Sequence, residues 1–288
     1  MHELRVRVGV ASFRVGSAWK APMEAMRRLY AGYPAPEQGL ATLTALIDAP
    51  RAWRRWIRPQ AAIDGDFTLP GAIPMAIRHG LLAMEMAMNM QVALGERRHL
   101  LLHAAAIERG GKALILPGES GSGKSTLAAL LGEQGWRLMS DEFVMIDLVT
   151  GLALPFPRPI SLKNSAIPVM EALIADSSRF GPLLSDTPKG MLRHLRPSAR
   201  SIAAMDVPAK PALILFPRFG DDAAAAGISQ SELFMRMTEG STNYVALGQP
   251  AFETLIEMVR TIPAASFSYP DTATGLAIVE QFCAEAGL

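Results

Sequence analysis

Residues 113–126, ALILPGESGSGKST, hold the reading that decides the fold of this chain. Gly118, Gly123, Lys124 and Ser125 fill the spacing G-x-x-x-x-G-K-[ST]. An apolar run, Ala113 to Leu116, precedes the spacing, and a run of helix-forming composition, Thr126 to Leu131, follows it. Strand, glycine loop and helix in that order are the context a phosphate-binding loop needs. Gly118, Gly121 and Gly123 let the backbone take positive φ and turn its N–H groups inward, and the helix start adds the positive end of its dipole. Lys124 is placed to reach the β- and γ-phosphates, and the Ser125 hydroxyl to ligate Mg²⁺. The candidate nucleotide-binding residues are therefore Gly118, Glu119, Ser120, Gly121, Ser122, Gly123, Lys124, Ser125 and Thr126.

Working outward, an acidic pair comes one helix and one strand later. Trp136 to Ser140 reads as a short strand that ends in Asp141 and Glu142. Carboxylates at the C-terminal end of a strand sit beside the phosphate loop when the two strands are neighbours in a sheet. One of the pair can hold Mg²⁺, directly or through water, and the other can take a proton from an attacking hydroxyl. Ser125, Asp141 and Glu142 are thus the candidate metal residues. His103 lies on the strand before the loop, among the small residues Ala104 to Ala106; spacing alone reads it equally as a core histidine and as a site residue. Arg158 and Lys163 fall in a Pro-stiffened stretch, residues 155–164, that reads as a clamp for phosphate or an acidic acceptor and nearly as well as solvated cations. Lys189, Arg193 and His194 lie in a stretch from Thr187 to Pro197 that reads as a loop with the composition of a mobile lid.

The rest of the 288 residues bound the possibilities. Half are hydrophobic and 19% are charged, which permits a real core. The formal net charge of +1 offers no global attraction to nucleic acid or to a membrane surface, so neither is expected as a partner. One cysteine, Cys283, excludes an internal disulfide and a Cys-based zinc site. The first residues alternate like a strand rather than forming a signal peptide, and the apolar window 80–94 is too short to span a bilayer, so a cytoplasmic setting is expected.

Strands are expected at residues 4–12, with Leu4, Val6, Val8 and Val10 on one face, and at 100–107, 136–140, 143–148, 152–154, 211–217 and 266–269. Helices are expected at 22–30, 74–95, 167–175, 229–239, 252–262 and 272–286, with Ser229 and Glu232 as a capping box. Residues 34–75 carry no clear period. Within them, Trp53 and Trp56 bracket Arg54 and Arg55, a pattern read as packed Trp beside solvated Arg in preference to a basic-aromatic contact surface. The alanine patch after Asp221 and Asp222 reads as a loop. The charged stretch 96–99 marks a boundary between an N-terminal α+β module, residues 1–98, and a nucleotide domain, residues 99–288.

The order His103, then GESGSGKST at 118–126, then Gly135 to Glu142, resembles the catalytic domain of HPr kinase/phosphorylase, and more closely the HprK-related kinases. The resemblance is specific from His103 to Asn164 and continues loosely through Thr187–Gly190, Phe216-Pro217-Arg218 and Asn243. It implies an α/β phosphate-loop domain of the HPr kinase and phosphoenolpyruvate carboxykinase type, using ATP and Mg²⁺. It further implies that His103 sits near the transferred phosphate and that Asp141 is the base acting on a serine hydroxyl. Glu142 stands where the family has a second Asp, Thr126 where it commonly has Glu, and Arg158 is the candidate for an arginine whose usual signature is absent. The signature that engages HPr is also missing. The expected acceptor is therefore a serine-bearing peptide or small protein, or a small hydroxyl compound such as an amino acid, with the N-terminal module as a possible acceptor-binding part and a homo-oligomer possible; the alternative from another class is a nucleotide-binding regulatory module without transfer activity.

Overall fold

In the computed structural model, residues 1–220 and 222–288 are described; Asp221 lies outside the described residues. By contacts the chain divides into two compact units, Met1–Glu96 with Ser161–Arg196, and Arg97–Ile160 with Pro197–Leu288. The first break falls two residues before the boundary read from composition. Residues 161–196, read there as part of the second domain, group with the first unit. Long-range bonds account for this: His79 Nε2 lies 2.8 Å from the Ser185 carbonyl, and Arg196 donates to the Arg28 carbonyl at 2.8 Å. Composition along a chain carries no trace of such a return.

The first unit opens with β1 (His2–Val8) and β2 (Ala11–Ser17), an antiparallel pair, then α1 (Lys20–Leu29). Gly9, at φ +53°, ends the first strand, so Val10 sits in the turn, exposed, and does not continue the apolar face of Val6 and Val8. Next come β3 (Leu43–Asp48), β4 (Gln60–Gly65), β5 (Met75–Ala76) and α2 (Gly80–Gly95). Two of these strands lie in the stretch that showed no period. The helix expected from residue 74 starts at Gly80, because Met75 and Ala76 pair with β4 instead. The five strands run in the order β1-β2-β3-β4-β5, and α2 packs on β3 and β4. The turn 51–58 holds Trp56 73% exposed, with Arg54 stacked 4.2 Å over Trp53, so these rings lie at the surface rather than packed inside.

The chain then enters the second unit with β6 (His99–Arg109) and β7 (Lys112–Pro117). Gly110 (φ +62°) and Gly111 (φ +81°) supply the left-handed pair that a two-residue hairpin requires. Beyond β7 come α3 (Lys124–Glu133), β8 (Arg137–Ser140), β9 (Phe143–Asp147) and β10 (Ala153–Leu154).

The return to the first unit holds β11 (Ile160–Lys163), α4 (Ala166–Leu173), β12 (Leu184–Thr187) and β13 (Gly190–Leu195), with the strands in the order β11-β13-β12. Residues 187–197 are therefore not an open loop. Most belong to a hairpin whose turn is closed by Thr187 Oγ1 donating to the Gly190 carbonyl at 2.6 Å, with His194 buried and Arg193 paired to Glu171.

The second unit ends with α5 (Ala199–Ala203), β14 (Lys210–Phe219), β15 (Ala224–Gly227), α6 (Gln230–Glu239), α7 (Tyr244–Leu247), α8 (Gln249–Thr261), β16 (Ala264–Tyr269) and α9 (Thr272–Glu285). The alanine patch, read as loop, forms β15, an exposed edge strand on β16; backbone pairing at a sheet edge needs no apolar period. As the capping box anticipated, Ser229 Oγ accepts from the Glu232 N–H at 3.3 Å.

Among the described residues the main sheet has eight strands, in the order β10-β9-β6-β7-β14-β16-β15 with β8 also on β6. β7, β14 and β16 are parallel, so their C-terminal ends lie together. On one face, Ile115 and Ile214 pack with Leu233 of α6 and Leu255 of α8. On the other, α3 packs over β6, where Ala105 is fully buried, while Ala104 and Ala106 alternate onto the α6–α8 face.

Candidate active site

The glycine loop leaves the sheet where β7 ends. Pro117 pairs with Ala104 of β6, so His103 stands one residue beyond the last β6–β7 rung, opposite the start of the loop. From that point the edge of β6 is taken over by residues 240–243. The His103 N–H donates to the Gly240 carbonyl at 2.7 Å. Asn243 accepts from the Leu101 N–H and donates to the His99 carbonyl, both at 2.9 Å. The sheet thus forks at His103, with the glycine loop on one prong and the 240–243 turn on the other. Asn243 is buried and replaces a missing strand; its role here is to satisfy the backbone.

Within the loop, Gly121 (φ +96°) and Gly123 (φ +95°) are left-handed. A Cβ on Gly123 would lie 1.8 Å from the Tyr269 hydroxyl oxygen. Tyr269 is fully buried at the end of β16, stacked on Phe267, and its ring lies so close to Gly275 of α9 that a Cβ there would also clash. Burial raises the Tyr269 hydroxyl well above its ordinary pKa, so it stays neutral beneath the loop. The Phe219 N–H donates to the Ser122 carbonyl at 3.1 Å and pins the loop to β14. Lys124, 6% exposed, folds its ammonium back to the Glu119 carbonyl at 3.1 Å. The α3 N-terminus begins at Gly123 with no side-chain cap, leaving its first amides to whatever anion the loop receives. Ser125 and Thr126 occupy the first turn of α3, half-buried. The Ser122 hydroxyl is buried and has no hydrogen-bond partner among the described residues.

Asp141 and Glu142 form the turn between β8 and β9. Both strands pair with β6, Ser140 opposite Ala106 and Phe143 opposite His103, so the turn is brought alongside the β6 edge that carries His103. Asp141 is 3% exposed, while Glu142 is open to solvent in part and puts a carboxylate oxygen 3.7 Å from His103 Nδ1. Among the described residues no cluster of three or more His, Cys, Asp or Glu could hold a metal ion unaided. An ion that keeps its waters and is held by nucleotide phosphates needs only one or two carboxylates and a hydroxyl. Asp141, Glu142 and Ser125 supply that donor chemistry.

Arg158 is 4% exposed, with its guanidinium 5.9 Å from the Phe156 ring centre. Phe156 bridges Ser140 in parallel register, so Arg158 follows two residues along, level with the acidic turn, and it is not a solvated cation. Lys163 lies on β11 and Lys189, Arg193 and His194 on the β12–β13 hairpin, all grouped with the first unit.

A pocket of about 860 Å³ opens in the fork. Its loop wall is Gly118, Glu119 and Ser122, with His103 and Phe143 beside them; its far wall is the end of α6 and the turn from Gly240 to Thr242. The floor comes from the ends of β14 and β16, where Phe216 and Arg218 are in register with Ser266 and Ser268. Of these residues the sequence singled out only His103, the loop and the Phe216–Arg218 run. Ser266, Ser268 and Tyr269 carry no motif, and only the sheet order brings them to the loop.

These features define a mixed α/β protein with several sheets, in which a glycine loop joins the C-terminal end of a buried strand to the start of a helix. No family model matches the chain, and no curated protein does. Among solved structures, the Hpr(Ser) kinase/phosphatase from Coxiella burnetii is similar at 12% identity over 64% of this chain and 98% of that one, with a TM-score of 0.29, too loose to carry fold or function across. Among the described residues no helix is long and apolar enough to cross a membrane.

Proposed function

We propose that the protein is a Mg-ATP-dependent kinase that phosphorylates a hydroxyl, with serine of a peptide or small protein other than HPr as the expected acceptor. The observation that carries this reading is the pairing of the Lys124 loop with a buried Asp141 through one shared strand, β6. Mg²⁺, when bound, neutralises charge on the β- and γ-phosphates; Ser125 and a carboxylate of the Asp141–Glu142 turn are the residues to hold it. Lys124 and the loop amides counter the charge that collects on the leaving diphosphate as its bond to the γ-phosphorus breaks. Asp141 takes the proton from the acceptor hydroxyl as that oxygen bonds the γ-phosphorus. His103, close to Glu142, orients the acidic turn toward the loop. The motif order from His103 to Glu142, which resembles HPr kinases, supports the same roles.

Incubation of the purified protein with Mg-ATP and serine-containing peptides tests the reading by mass spectrometry. A shift of one phosphate that disappears in Lys124→Ala is the expected result, with HPr left unlabelled. Failure of the wild-type protein to bind any nucleoside triphosphate would overturn the kinase assignment.

A further inference from the structure

The pocket in the fork has a size and lining that the phosphate loop does not explain. Its volume of about 860 Å³ is within the range for a small-molecule site. The loop residues that face it are Gly118, Glu119 and Ser122, whereas Lys124, Ser125 and Thr126 do not line it. It therefore meets the front of the loop on the side of His103, with Phe143, the residue after the acidic turn, also in its wall. The alternation of β14 and β16 makes the floor amphipathic. Phe216 presents an apolar ring, and Arg218, two residues on, presents its cation at the rim beside Ser268.

The two cations differ in availability. Arg236 is ion-paired to Glu232 at 2.5 Å and lies over the Phe216 ring at 5.1 Å. Arg218 is exposed and makes no ion pair or side-chain hydrogen bond among the described residues. Glu119 and Glu239 on other walls disfavour a multiply charged anion. With Ser241, Thr242, Ser266 and Ser268 also in the lining, the pocket suits one negative charge, one apolar group and one hydroxyl.

On the kinase reading above, we propose that this pocket is the acceptor site and takes a compact hydroxyl compound of amino-acid or dipeptide size. Its single carboxylate meets Arg218 and its apolar portion lies on Phe216. This narrows the acceptor of that reading to its small end, a hydroxyl compound no larger than a dipeptide.

The dipeptide seryl-phenylalanine, with a free carboxylate, and its carboxamide are suitable probes. Equilibrium binding is measured by calorimetry on the full chain with a non-hydrolysable ATP analogue present, and phosphoryl transfer by mass spectrometry. The wild-type protein should bind the carboxylate form at least tenfold more tightly than the carboxamide. Arg218→Gln should abolish that preference while leaving affinity for the ATP analogue within twofold. Equal binding of the two forms, or no binding of either, overturns the proposal. So does an Arg218→Gln variant that loses the ATP analogue and keeps the dipeptide, since the pocket would then hold the nucleoside. Loss of ATP-analogue binding in the wild type strikes the kinase reading alone, because the dipeptide titration without nucleotide still decides what the pocket accepts.

Discussion

At the scale of single residues, three side-chain changes separate the roles drawn above. Lys124→Ala removes a buried cation folded onto its own loop, and phosphoryl transfer should fall by on the order of 10²-fold or more with the fold retained, as read by turnover and circular dichroism. Asp141→Asn keeps the size of the side chain at the β8–β9 turn. It should retain ATP binding and lose transfer; activity within about threefold of wild type would make Asp141 structural. Gly123→Ala places a methyl group against the Tyr269 hydroxyl at a φ of +95°, so both strain and collision act. ATP affinity should drop at least tenfold, and Gly123→Ala combined with Tyr269→Phe should recover only the part due to collision, as measured by nucleotide titration. The loop glycines and Lys124 were legible because their spacing is itself the chemistry. Tyr269 was not, because a tyrosine at the end of a strand looks the same whether it supports a loop or fills a core.

At the scale of elements, the decisive arrangement is the fork on β6. Its N-terminal half is paired to β9 on one edge and, on the other, is completed by the Asn243 side chain in place of a strand. Asn243→Ala would leave the Leu101 N–H and the His99 carbonyl buried without that partner. We expect a loss of about 2 kcal/mol in urea unfolding, with wider effects on the pocket wall formed by residues 240–242. Most elements of the second unit were legible, since β6, β7, α3, β14, α6 and α9 announce themselves by apolar runs, turn glycines and caps. The hairpin at 184–195 was missed because its residues are mixed in polarity; its apolar positions, Leu184, Leu192 and Leu195, are too sparse for a period. β3 and β4 were missed for the same reason: a strand of six residues between Pro-rich stretches gives little repeat to detect.

At the scale of the whole molecule, a buried ion pair ties distant segments of the second unit. Arg137 on β8 donates to Glu108 on β6 at 2.6 Å and to the Ala204 and Val207 carbonyls beyond α5. Burial alone would raise the Glu108 carboxyl, but the Arg137 bond, with the Gly111 N–H, brings it net below its ordinary value of 4.5. A carboxyl lowered in the folded state contributes stability that is present above the unfolded value and lost as pH falls through the lowered native value. Glu108→Gln leaves the Arg137 charge buried without its carboxylate and should cost about 3 kcal/mol at neutral pH. The gap from wild type should close as pH drops below 4.5, which urea midpoints across that range would show.

By itself the sequence determined the local pieces: the strand, glycine loop and helix from Ala113 to Leu131, the acidic pair after a second strand, and the helices that cap and bury themselves by period. These are short-range matters, decided by φ preference, hydrophobic alternation and backbone hydrogen bonding among neighbours. Tertiary structure alone decided which pieces meet. It placed His103 at the point where β7 leaves β6, set Tyr269 beneath Gly123, and gathered the ends of β14 and β16 into a pocket. It also returned residues 161–196 to the first unit. Each of these depends on strand order and register, and pairing between strands far apart in the chain is chosen by the packing of the whole core rather than by any window of sequence.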